Sequence, residues 1–138
     1  MTNPATEAVF GSVASASASD LNDTLASAEA SRRGWASRSS KDRGEILTAA
    51  ARILATKVGD AARELSREQG KTIAEATGEY ARAVETLEWY GAHAEELCAP
   101  TPHGSNRMII PEPLGVAAAF TPWNYPAVII ARKLAPAL

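Results

Sequence analysis

Leu114-Gly115-Val116-Ala117-Ala118-Ala119-Phe120, followed by Thr121-Pro122-Trp123-Asn124-Tyr125-Pro126, is the stretch on which the fold turns. Its first seven residues are almost wholly apolar, the composition of a short strand buried on both faces of a parallel sheet. Pro122 and Pro126 push Thr121 and Tyr125 towards extended backbone, and Pro126 itself suits the first turn of a helix running past Lys133. The unit reads as strand, tight loop, helix, which is half of a βαβ crossover. Open α/β sheets bind ligands at the carboxyl ends of their strands, beside helix N-termini, and Thr121 to Tyr125 would occupy such a place.

Upstream the pattern is helical. Ser19 is a plausible N-cap, with Leu21, Leu25, Ala28 and Trp35 tracing a stripe that should end near Gly34. Ser40 reads as the N-cap of a second helix on Ile46, Leu47, Ala50, Ile53 and Leu54, and a third, weakened by Gly59, is predicted from Val58 to Glu68 with a stop at Gly70. The clearest periodicity puts Ile73, Ala76, Tyr80, Ala83, Leu87, Tyr90 and Ala94 on one face, leaving Glu75, Glu79, Arg82, Glu85 and Glu88 mostly outside it. Before these helices, Asn3-Pro4-Ala5-Thr6 is turn chemistry, Val9 to Val13 suits a short ribbon, and Ser12 to Ser19 reads as an extended surface lead-in. After them, Asn106 to Pro111 alternates weakly as a strand that Pro111 and Pro113 confine to an edge. The apolar helical pattern runs to Leu138 with no second strand, and a lone strand and helix cannot form a sheet. A continuation of the fold beyond Leu138 is therefore expected.

The 138 residues carry 46% hydrophobic and 22% charged side chains with a net charge of -2, an ordinary soluble composition. That balance gives no basic footprint for nucleic acid or an anionic membrane, and no apolar run reaches the roughly 20 residues of a membrane span. One cysteine builds no internal disulfide framework, so the expected compartment is the cytoplasm. His93, His103 and Cys98 lack metal-ligand spacing, and no metal is expected. Cys98 falls near a helix C-terminus, where the dipole disfavours a thiolate, and reads as structural or incidental. Gly70-Lys71-Thr72 resembles the end of a phosphate-binding loop, but Leu65 stands where its first glycine is needed.

Within the loop, Asn124 has two readings. Its side-chain amide offers two donors at a strand-to-helix junction, suited to an oxygen gaining negative charge; it could equally cap the helix. Trp123 is either core or a flat wall for a ring-bearing ligand. Arg132 and Lys133 lie six to seven residues into the predicted helix, either on a solvated face or, for Arg132, placed to select a carboxylate by a bidentate contact.

Glu112-Pro113-Leu114-Gly115-Val116, Phe120 to Pro126 and Arg132-Lys133-Leu134-Ala135-Pro136-Ala137-Leu138 together resemble the aldehyde dehydrogenase superfamily. Asn3 to Thr6, Trp35, the Arg43 to Leu54 helix, and Glu68-Gln69-Gly70-Lys71 with Glu75-Ala76 extend the resemblance over nearly the whole chain. It implies an α/β fold: N-terminal helices plus the first strand-loop-helix of a Rossmann-like parallel sheet. Residues 1–94 and 114–138 would then belong to a partial NAD(P)-binding domain and 95–113 to a bridging or oligomerisation arm. The implied chemistry is NAD- or NADP-dependent oxidation of an aldehyde to a carboxylate through a thiohemiacetal. Asn124 would be the oxyanion donor and Lys133 a supporting or proton-relay residue; Phe120, Thr121, Pro122 and Trp123 would meet the cofactor. Tyr125 would line the aldehyde tunnel, with Arg132 resembling the carboxylate-binding arginine of succinate-semialdehyde dehydrogenases. The nucleophilic cysteine and general-base glutamate would lie beyond Leu138, leaving these residues inactive alone and the full-length protein a homo-oligomer, dimer or tetramer. The alternatives are a betaine-aldehyde-type or CoA-acylating relative, or a free-standing helical interaction module.

Overall fold

The computed structural model describes residues 1–138, and three long helices make up most of it. Helix α1 (Ala18–Ala36) opens on a capping box: the Ser17 hydroxyl accepts from the Asp20 amide, and the Asp20 carboxylate accepts from the Ser17 backbone. The start lies two residues before the expected Ser19, because Ser17 is the serine with an acid three residues on. Helix α1 buries none of its residues, and Leu21 and Leu25 stay exposed.

Helix α2 (Ser40–Gln69), capped by Ser39, runs unbroken through the two helices expected from the sequence. Gly59 costs a helix about 1 kcal/mol relative to alanine, yet packing on either side carries the helix through it: Leu47 and Ala51 are buried before it, Ala62 and Leu65 after it. Gly70 ends α2 in the left-handed region at φ 75°, as the sequence predicts. Thr72 then opens helix α3 (Ile73–Cys98) with a second capping box, to Glu75.

Helices α2 and α3 cross with Gly44 and Gly91 in backbone contact. A Cβ placed on Gly91 would stand 2.8 Å from the Gly44 carbonyl oxygen, and one on Gly44 only 2.5 Å from that of Gly91. Leu47, Ala51, Ala83 and Leu87 form the core on one side of this crossing, joined by Ala131 and Ala135 of helix α4 (Pro126–Ala137). A smaller cluster of Ala62, Leu65 and Ala76 lies beneath Tyr80. The far end of α4 is tied down by the Trp35 indole and the Arg43 guanidinium, both donating to the Leu138 oxygen, at 2.8 and 2.9 Å.

Strands β1 (Thr101–Pro102) and β2 (Met108–Ile109) pair antiparallel, Thr101 opposite Ile109; β2 lies within the Asn106 to Pro111 stretch expected as an edge strand, and its partner β1 lies before it, outside that stretch. The N-terminal ribbon folds over a turn in which Asn3 Oδ1 accepts from Ala5, with one bridge between Thr2 and Val9. No helix is long and apolar enough to cross a membrane.

The strand expected over Leu114 to Phe120 does not form a ladder, so the parallel sheet is not built within these residues. A strand exists only by pairing, and no other segment of the chain pairs with this one. Leu114 and Phe120 consequently face solvent.

Candidate active site

The loop before α4 is anchored by side chains from the corner between α2 and α3. Gln69 Nε2 donates to the Trp123 carbonyl oxygen. Two residues on, Lys71 Nζ donates to the Asn124 carbonyl oxygen at 2.9 Å and to Glu79 Oε2 at 2.5 Å, and its ammonium stands 4.7 Å from the centre of the Tyr125 ring. Glu79 is fully buried, and its other oxygen accepts from the Ala127 amide at 2.8 Å.

That last contact decides how α4 begins. Pro126 brings no N–H and pre-sets the first helical φ; Tyr125 occupies the N-cap position at φ -141° and ψ 57° and makes no side-chain capping bond. The cap comes from Glu79, 48 residues earlier in the chain, and its negative charge at the helix start is balanced by Lys71. Asn124 is therefore not the cap of α4. It joins the network through its carbonyl oxygen, while its side chain is exposed.

The expected site residues fall into one stretch of surface chain and one helix. Phe120 and Trp123 are 83% and 82% exposed, and Thr121 and Pro122 are exposed between them. Trp123 is thus no part of this chain's core. Tyr125 is also exposed, with its ring against Lys71. Arg132 and Lys133 lie on the exposed part of α4, away from the buried Val128, Ala131 and Ala135. Cys98 ends α3, exposed, 3.5 Å from an Arg43 nitrogen; at 1.5 Å per residue it lies roughly 28 Å along the helix from Glu79. It is out of reach of the loop.

The sequence reading did not single out Lys71 or Glu79 as site residues. Glu79 was expected mostly outside the apolar face of α3, yet it is buried between Ala76 and Ala83 on that face. A carboxylate three residues after one buried alanine and four before another was the available signal. Its neighbour Tyr80 has its phenol pKa raised, chiefly by burial and further by the nearby Glu79 and Glu68 charges.

A sequence profile of the Aldehyde dehydrogenase family matches residues 1–138. Glutarate-semialdehyde dehydrogenase of Pseudomonas aeruginosa is 36% identical over 99% of this chain, which covers 29% of that protein. The NADP(+) succinate-semialdehyde dehydrogenase of Escherichia coli is 34% identical over the full chain, covering 30% of its own length. Among solved structures, succinate-semialdehyde dehydrogenase from Burkholderia pseudomallei matches 98% of this chain at 34% identity and a TM-score of 0.90, with 29% of that chain covered. The chain thus spans about 29% of the length of these proteins, and its helices and hairpin correspond to the N-terminal part of their fold.

Proposed function

The chain belongs to the aldehyde dehydrogenase family, and on that footing we propose that it supplies the oxyanion side of an active site oxidising an aldehyde to a carboxylic acid, through a thiohemiacetal, with NAD or NADP. The observation that carries this reading is the Asn124 loop: its backbone is anchored by Gln69 and Lys71, while the Asn124 side chain is left exposed. A donor fixed through its main chain can meet an oxygen that gains charge without first reorganising, and one such donor contributes about 2.7–4 kcal/mol to the transition state. Cys98 lies far along α3 from the loop and is not the nucleophile; in this reading the family's cysteine nucleophile and glutamate base are supplied from outside these 138 residues.

The residues assigned to the dinucleotide suit it chemically. Phe120 and Trp123 offer two exposed aromatic faces within four residues, with the Thr121 hydroxyl between them. The chemistry NAD or NADP supplies when bound is acceptance of hydride from the substrate carbon. Tyr125 lines the approach of the aldehyde, and Lys133 supports the pocket. Residues 1–94 and 114–138 contribute to the cofactor domain and 95–113 to a bridging arm of a cytoplasmic homo-oligomer.

The substrate class follows from Arg132, whose exposed guanidinium on α4 is suited to a distal carboxylate. A carboxylated semialdehyde such as succinate semialdehyde is the substrate we assign, in keeping with the names of the relatives above. The test is cofactor reduction by the intact protein with succinate, glutarate and betaine aldehydes. Asn124→Ala should lower kcat by roughly 100- to 1000-fold, and Arg132→Ala should raise KM for the two semialdehydes alone. An Arg132→Ala protein with unchanged affinity for them would remove the substrate assignment.

A further inference from the structure

Resting on the reading of Asn124 as oxyanion donor, we propose that Lys71 and Glu79 are positioning residues that set the Asn124 amide without touching substrate. Side chains from one corner of the fold hold three backbone groups within five consecutive residues. Gln69 takes the Trp123 carbonyl, Lys71 the Asn124 carbonyl and Glu79 the Ala127 amide. Lys71 and Glu79 are also bonded to each other at 2.5 Å, so the carbonyl before α4 and the first free amide within it are referred to one ion pair.

The pair is poorly explained by stability alone. Glu79 is fully buried and Lys71 only 14% exposed, and taking two charges out of water offsets most of what their attraction returns. What it does supply is direction. The loop has no strand ladder to fix it, Asn124 and Trp123 are exposed, and Tyr125 makes no capping bond. The ammonium, tied to Glu79, lies within bonding distance of the Asn124 carbonyl and under the Tyr125 ring, and so orients the peptide next to the donor amide. An error of about 1 Å in such a group can cost about 100-fold in rate.

The experiment compares the intact protein with Lys71→Met and with Lys71→Met/Glu79→Gln, the second leaving no unpaired buried charge and so guarding against misfolding. Steady-state kinetics are read on succinate semialdehyde, and amide exchange on the peptide spanning residues 120–128. In both variants kcat should fall about 100-fold with KM nearly unchanged, and exchange over 120–128 should quicken while α2 keeps its protection. A kcat in the folded double variant within about twofold of the parent, or a change confined to KM, would overturn the proposal. So would lost kcat with exchange of 120–128 unaltered. If the parent protein oxidises no aldehyde, the functional reading fails by itself; the exchange arm still judges the clamp, and unaltered exchange then overturns it.

Discussion

Around Glu79, α3 meets the start of α4 through a buried carboxylate and an ammonium; around Gly91, the same helix meets α2 with no side chain between the two backbones. The crossing at Gly91 is a contact of shape. It tolerates no added atom, because a Cβ on Gly91 would lie 2.4 Å from Thr48 Oγ1 as well as against Gly44. The contact at Glu79 is one of charge and direction, and it works over the length of a lysine side chain. The first fixes how α2 and α3 pack. The second fixes a loop that carries no regular structure. The difference teaches that the scaffold of this chain is made by leaving atoms out, and its candidate site by placing charges.

The largest effect should come from breaking the charged contact on one side only. Lys71→Met leaves Glu79 buried and unpaired, and should destabilise the intact protein by about 3–5 kcal/mol, measured by urea unfolding; the double variant with Glu79→Gln should recover much of that loss. The contact of shape should yield less. Gly91→Ala forces the two helices apart and should cost about 1–3 kcal/mol, with exchange accelerated in α2 and α3 while the peptide 120–128 keeps its protection. Were the loop to loosen as well, the two contacts would not be independent.

Smaller still is the locally capped start of α3. Thr72→Ala removes the hydroxyl that accepts from Glu75 and should cost about 1 kcal/mol, read as fraying of the first turn by amide exchange. The smallest effect is that of pH on the two capping boxes. Hydrogen bonds from the Thr72 hydroxyl and then the Thr72 amide hold the Glu75 carboxyl below its usual pKa, and those from the Ser17 amide and then its hydroxyl do the same for Asp20. A carboxylate whose folded pKa is depressed contributes fully above its unfolded value and loses that contribution as pH falls through the folded one. Acidification below the ordinary carboxylate range should therefore fray the starts of α1 and α3, visible as faster exchange at their first turns.

The parts legible in the sequence were those whose physics is local. Gly70 stopped a helix, Pro126 started one, and the Asn3-Pro4 turn folded the ribbon as its residues required. Gly59 misled because its cost is local while the packing that overrides it comes from α3. Leu114 to Phe120 has the composition of a strand, but pairing needs a second segment, and composition cannot say where that segment is. For the site, the sequence pointed to the loop before α4 and left Asn124 between two roles. It missed Lys71 and Glu79: the helical spacing put Glu79 on the buried face of α3, but the partner that burial serves lies 48 residues on and leaves no local pattern. Gly44 and Gly91 escaped for the same reason: each matters only against the other.

Gly70, the left-handed corner between α2 and α3, stands directly between Gln69 and Lys71, the two donors that grip consecutive carbonyls of the loop. A Cβ at this glycine would come within 2.8 Å of Pro4 in the N-terminal ribbon. Any other residue at this corner would strain the left-handed backbone and crowd Pro4, and so would disturb both grips on the loop at once.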